Sequence, residues 1–195
     1  MSELLVAAPM RLEAVLIGSA ARGGLVRKTG MGPRRAQLAA QELGLQAARA
    51  MLVLGFCGGL DESSVPGEVI VAEEVVAAPG EGQPEEPIAC ELAVPLLGRL
   101  TGLGMKVRTG RLVCVSRLAL GGRREELRAG GAIAVDMESV WLAPGARGRP
   151  FGVVRVVLDS PAHELLRPQA LGGALRAALT LRRVAAALHE WTPGD

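Results

Sequence analysis

Two carboxylates follow short apolar runs in the second half of the chain. Glu138 lies in Ala134-Val135-Asp136-Met137-Glu138-Ser139, and Asp159 follows 21 residues later in Arg155-Val156-Val157-Leu158-Asp159-Ser160. A carboxylate just beyond a buried strand can bind hydroxyls or move a proton at the strand's end. The bland alternative is a helix cap or a surface acid, and Asp136 is suited to capping a helix from Met137. Glu13, in Ala8-Pro9-Met10-Arg11-Leu12-Glu13, is a third carboxylate behind an apolar run. Beside it, Arg11 offers a guanidinium suited to a bidentate phosphate contact. Both also read as ordinary solvent-facing residues.

These groups need a framework. Apolar runs predict strands at Leu4–Ala8, Leu25–Thr29, Met51–Leu54, Glu68–Val76, Lys106–Val115, Ile133–Val135 and Phe151–Val157. Helices are expected from Glu13, over Arg34–Leu43 behind Pro33, over Glu91–Gly102, over Arg123–Arg128, from about Met137, and over Ala170–Trp191. Ala77–Pro87, rich in Gly, Pro and Glu, reads as a flexible loop, and Gly55–Gly59 as a turn. Most strands are continuous apolar runs alternating with helices, the pattern of a sheet covered by helices. The expected fold class is α/β: a three-layer α/β/α domain over residues 1–195 with a central, mostly parallel mixed sheet. Glu13, Gly30, Gly55–Gly59, Ser116, Glu138 and Asp159 all fall at strand ends, where such folds bind ligands.

Composition narrows the function. The 195 residues carry a net charge of +2 and no tyrosine. So small a charge gives no case for nucleic-acid binding. Cys57, Cys90 and Cys114 lack metal-site spacing and read as buried free thiols. His163 and His189 are isolated. No run approaches a membrane span and the Met1-Ser2-Glu3 start lacks a basic n-region, so a cytoplasmic protein is expected.

Val-Asp-Met-Glu-Ser followed by Val-Val-Arg-Val-Val-Leu-Asp resembles the ribose- and base-binding segments of the nucleoside phosphorylase and nucleosidase superfamily. The resemblance spans roughly Leu4 to Leu188. It implies that Met137 packs on the ribose, that Glu138 accepts from the 2′ and 3′ hydroxyls, and that Asp159 meets N7 of a purine. Breaking the glycosidic bond leaves charge on the base, and an acid at N7 stabilises its departure. Burial moves a carboxylic acid in the direction that role requires. Many relatives carry a serine at the Leu158 position; its orienting hydrogen bond is missing here, and Leu158 offers an apolar wall instead. Ser116 falls in the base-binding segment, where Leu118 or Leu120 replaces the usual aromatic.

The nucleophile divides the resemblance. The Ala8–Ala14 segment is similar to the loop of methylthioadenosine/S-adenosylhomocysteine nucleosidases, which implies that Glu13 contacts an attacking water. Pro9-Met10-Arg11 equally resembles a phosphorylase loop whose arginine grips phosphate. Gly55-Phe56-Cys57-Gly58-Gly59 resembles the glycine-rich segment after the third strand, but Phe56 and Val53 replace two phosphate ligands. Phosphate would then depend on Arg11 and on amides near Gly30–Gly32.

The short Val-Asp-Met-Glu-Ser form most resembles the adenosylhopane-cleaving phosphorylases of hopanoid synthesis. A shortened Ala77–Glu91 segment would leave room for a bulky 5′ group. Phosphorolysis of a 5′-substituted adenosine is therefore the first expectation. Hydrolysis by a methylthioadenosine/S-adenosylhomocysteine- or futalosine-type nucleosidase is the second, and a non-catalytic nucleoside-binding relative the third. The resemblance implies a homo-oligomer and no metal or organic cofactor, with inorganic phosphate as co-substrate only under phosphorolysis.

Overall fold

A mixed eight-stranded sheet with helices packed on it forms the framework, the α/β architecture expected from the alternating runs. The structure, a computed structural model, describes residues 2–20, 25–82, 86–163, 170–189 and 191. The strands are β1 (Ser2–Ala8), β2 (Leu25–Lys28), β3 (Ala48–Gly59), β4 (Val69–Ala77), β5 (Ile88–Ala89), β6 (Val107–Cys114), β7 (Ala132–Asp136) and β8 (Phe151–Asp159). The helices are α1 (Arg11–Ala20), α2 (Pro33–Leu43), α3 (Ala93–Gly102), α4 (Gly122–Ala129), α5 (Ser139–Leu142) and α6 (Ala170–His189).

Pairing closes five strands on themselves. β3 runs parallel to β8, β8 antiparallel to β4, β4 parallel to β6, β6 parallel to β7, and β7 meets β3 antiparallel. β2 and β1 extend the sheet beyond β3. The last contact sets the site: Gly58 pairs with Val135, and Gly58 also pairs with Asp159. The carboxyl ends of β3, β7 and β8 therefore converge.

The main core is aliphatic, with Leu5, Met51, Leu52, Leu54, Val153 and Val154 from β1, β3 and β8 buried together. α6 packs on α1, β8 and β3, and α3 on β4 and β6. A second cluster gathers Leu60, Val113, Val115, Leu127 and Val135, with Met137 packed against it. All three cysteines are buried and free, as expected.

Two expectations are corrected. Gly55–Gly59 is not a turn but the second half of a twelve-residue strand. Its glycines make room for neighbouring side chains rather than reversing the chain. The helix expected from Met137 is the four-residue α5, which passes at Pro144 into a 3-10 turn over Ala143–Ala146 that ends at the left-handed Arg147. Part of the Ala77–Pro87 loop, residues 83–85, lies outside the described residues, and the loop leads into the unforeseen two-residue β5.

Candidate active site

Pro9 closes β1, and the chain turns directly into α1. Glu13 sits in the first turn of that helix and folds back, so its Oε2 accepts from the Met10 N–H at 2.6 Å. This is the reciprocal half of a capping box, in which the third helical residue satisfies the cap's own N–H. Its Oε1 accepts from the Phe56 N–H on β3, also at 2.6 Å. The side chain is 1% exposed. Burial pushes the Glu13 pKa up, against the lowering effects of Arg155 and the two backbone donors.

Asp136 ends β7 and organises the turn after it. Its Oδ1 accepts from the N–H groups of Glu138 and Ser139, both at 3.3 Å, so it closes the turn that leads into α5, whose N-cap residue is Glu138 rather than Asp136. The Ser139 hydroxyl donates to its Oδ2. This locked turn presents Met137 and Glu138 at the end of the sheet. The Glu138 Oε1 accepts from the Gly32 N–H at 3.0 Å. Burial, followed by the Asp136 charge, pushes the Glu138 pKa up to about 7.

Asp159 reaches the same place through an irregularity in β8. Cys57 pairs with Val157, and Gly58 then pairs with Asp159, so Leu158 is an extra residue. Consecutive strand residues normally point to opposite faces, and a bulge re-aims them. Leu158 and Asp159 accordingly both line one cleft. Asp159 does not sit in a purely apolar pocket: the Arg124 Nη2 on α4 donates to its Oδ2 at 2.5 Å.

The cleft, of about 120 Å³, brings together Glu13, Phe56, Met137, Glu138, Leu158 and Asp159, with Met10, Met31 and Leu118 along its apolar side. Of the two leucines expected in place of an aromatic, Leu118 lines the cleft and Leu120 does not. Four expected contributors, Arg11, Ser116, Gly30 and Gly55, lie outside this lining. Arg11 is exposed and is no part of the lining. Ser116 is exposed, and its N–H donates to the Glu81 Oε2 at 3.0 Å. The Gly30 N–H donates to the Pro9 carbonyl at 3.0 Å. A larger hollow of about 660 Å³ lies between Val76–Gly82 and α4 and contains none of the expected site residues.

Arg155 was not foreseen as part of the site. It is fully buried on β8, and its Nη2 donates to Asp136 and, at 3.0 Å, to the Ser139 Oγ. The same nitrogen is 3.7 Å from the Glu138 Oε2. Burial pulls its pKa down, but Asp136, Glu138 and Glu13 together carry it above its ordinary value. The sequence signal was available: one arginine interrupts Phe151-Gly-Val-Val-Arg-Val-Val-Leu158, an otherwise apolar run. Gly55 makes this packing feasible. A Cβ there would collide with the Glu13 Oε1 and lie 2.7 Å from the Arg155 Nη1.

The fold matches known structures closely. Futalosine hydrolase of Helicobacter pylori superposes with a TM-score of 0.82 at 18% identity, over 96% of this chain and 97% of that one. The Neisseria meningitidis 5′-methylthioadenosine/S-adenosylhomocysteine nucleosidase, solved in complex with methylthio-immucillin-A, gives 0.78 at 19% identity, over 96% and 100%. S-adenosylhomocysteine nucleosidase of Streptococcus pyogenes, in complex with 5-methylthiotubericidin, gives 0.77 at 18%, over 96% and 97%. A comparison with curated protein sequences finds no match. The phosphorylase superfamily profile matches residues 9–188, and with that span the chain belongs to the phosphorylase superfamily of enzymes that cleave the N-glycosidic bond of nucleosides.

Proposed function

We propose that the protein hydrolyses the N-glycosidic bond of a purine nucleoside, with water rather than phosphate as the nucleophile. One observation carries this choice: the groups anticipated for phosphate are engaged elsewhere or lie outside the cleft. The Gly30 N–H is taken by Pro9, the Gly32 N–H by Glu138 and the Phe56 N–H by Glu13. Arg11 is exposed. The cleft is lined by Glu13, Asp136, Glu138 and Asp159, and by no arginine or lysine among the described residues. A phosphate dianion entering there would find no lining cation among the described residues to pair with. Water needs none.

Each residue then has a task. Glu138 accepts from the ribose hydroxyls and Met137 packs on the sugar. Asp159 meets N7 of the purine, between Leu158 and Leu118. In the reaction the C1′–N9 bond breaks and its electron pair leaves with the base, which takes a proton from Asp159 at N7. A water oxygen bonds to C1′ and gives its proton to Glu13, whose raised pKa suits a base. Glu13 then returns its proton to solvent, and Asp159 regains one. Met10 and Met31 favour an apolar 5′ substituent.

The test uses adenosine, inosine, 5′-methylthioadenosine and an adenosine bearing a large apolar 5′ group. Free base and free ribose are followed by chromatography. Equal rates with and without added phosphate, with free sugar as product, are expected. A ribose 1-phosphate product, or turnover only with phosphate, would overturn the choice of water. No base from any of the four would overturn the enzymatic reading for this substrate class.

A further inference from the structure

We propose that Arg124 is the positioning residue of Asp159, supplying from α4 the orienting contact that the Leu158 position lacks. The inference rests on the reading of Asp159 as the group that meets the departing base. Arg124 is 3% exposed and Asp159 4%. The Arg124 Nη2 donates to the Asp159 Oδ2 at 2.5 Å, and its Nε donates to the Ala119 carbonyl at 2.9 Å. The guanidinium is thus held at two points, the Ala119 carbonyl fixing the direction from which its Nη2 meets the carboxylate. Gly58 lets the pair approach β3: a Cβ there would stand 3.3 Å from both the Arg124 Nη2 and the Asp159 Oδ1.

Stability alone does not call for this pair. Buried ion pairs are often replaceable by apolar residues of similar volume without loss. Arg124 does not line the cleft, so it acts on substrate only through Asp159. Its contribution is to aim a carboxyl carried on a bulged strand.

Arg124→Gln, Arg124→Lys, Asp159→Asn and the Gln/Asn double variant are compared on the purine nucleoside the protein turns over best. The first should lower kcat roughly tenfold or more while KM changes little, and the lysine variant should recover part of the loss. The double variant should be no slower than Asp159→Asn alone, because residues acting through one group are not additive. Multiplied losses in the double variant, a loss confined to KM, or wild-type turnover by Arg124→Gln would each overturn the proposal. Thermal unfolding midpoints accompany every variant, and Arg124→Lys keeps the test decisive if Arg124→Gln does not fold. Calorimetric binding of free adenine and hypoxanthine supplies a readout independent of turnover. Equal weakening by Arg124→Gln and Asp159→Asn, with none further in the double variant, supports the pairing even if no nucleoside is hydrolysed. Undiminished base binding in Arg124→Gln that accompanies wild-type turnover counts against it.

Discussion

The Glu138 Oε1 accepts a hydrogen bond from the Gly32 N–H at 3.0 Å, joining the turn after β7 to the entrance of α2 across 106 residues of chain. The same carboxylate is the proposed ribose acceptor, and its pKa stands at about 7. Two pH profiles of opposite slope follow. As pH falls through about 7, Glu138 takes up a proton and accepts less strongly from the ribose hydroxyls, so kcat/KM should fall on the acid side. Stability runs the other way. The folded pKa lies above the ordinary 4.5, so the folded state holds the extra proton between these values. That stabilisation is complete below 4.5 and is lost as pH rises through about 7. Glu138→Gln should flatten both profiles while keeping an acceptor for Gly32. Steady-state kinetics and thermal unfolding from pH 5 to pH 9 check this, and an unchanged acid limb in the variant removes Glu138 from the ribose site.

Gly55→Ala should cost about 1–3 kcal/mol, the range for forcing a methyl into a filled interior. The added Cβ would meet the Glu13 carboxylate and the Arg155 guanidinium, both buried and held by hydrogen bonds. Urea unfolding measures the cost, and turnover should fall with it because Glu13 is displaced. Gly32→Ala is the useful contrast: no atom lies within 4 Å of its added Cβ, but its φ of 86° strains any L residue. Equal stability of Gly55→Ala and wild type would show that the interior at this point is not filled.

The Gly55 position also shows what the sequence could carry. Apolar runs located the seven longer strands, and the carboxylates placed after them line one cleft, because both depend on local pattern. The use of the glycines was misread. A glycine-rich stretch looks like a turn, and only the tertiary structure reveals that Glu13 and Arg155 occupy the volume its missing side chains leave. Arg124 and the bulge at Leu158 were out of reach for the same reason: each is a relation between segments far apart in sequence.

Arg155→Met should destabilise the protein by about 3–5 kcal/mol, the scale for removing one partner of a buried ion pair. The guanidinium is the only cation bonded to Asp136 among the described residues, and Glu138 and Glu13 lie in its field. Without it, three buried carboxylates share one region with no countercharge. The loss should be largest at high pH, where Glu138 and Glu13 ionise, and smaller in acid. Denaturant midpoints at pH 5 and pH 8 measure it, and a penalty independent of pH would mean that packing rather than charge is what Arg155 supplies.

Glu13→Gln and Arg11→Ala separate the two nucleophiles. If Glu13 takes the proton from water, its loss should lower kcat by about 10²–10⁴-fold. The glutamine must also turn its amide toward either the Met10 or the Phe56 N–H, at a cost of about 1–3 kcal/mol for the donor left without an acceptor. Thermal midpoints separate that cost from the kinetic one. Arg11 is exposed and outside the cleft, so Arg11→Ala should turn over within about twofold of wild type, the expectation for a surface change. Phosphate should accelerate neither variant. The reverse result, full activity in Glu13→Gln and a phosphate-dependent defect in Arg11→Ala, would return the arginine loop to the nucleophile. It would require α1 to rotate at its first turn, since Arg11 and Glu13 stand two residues apart and cannot share one helix face.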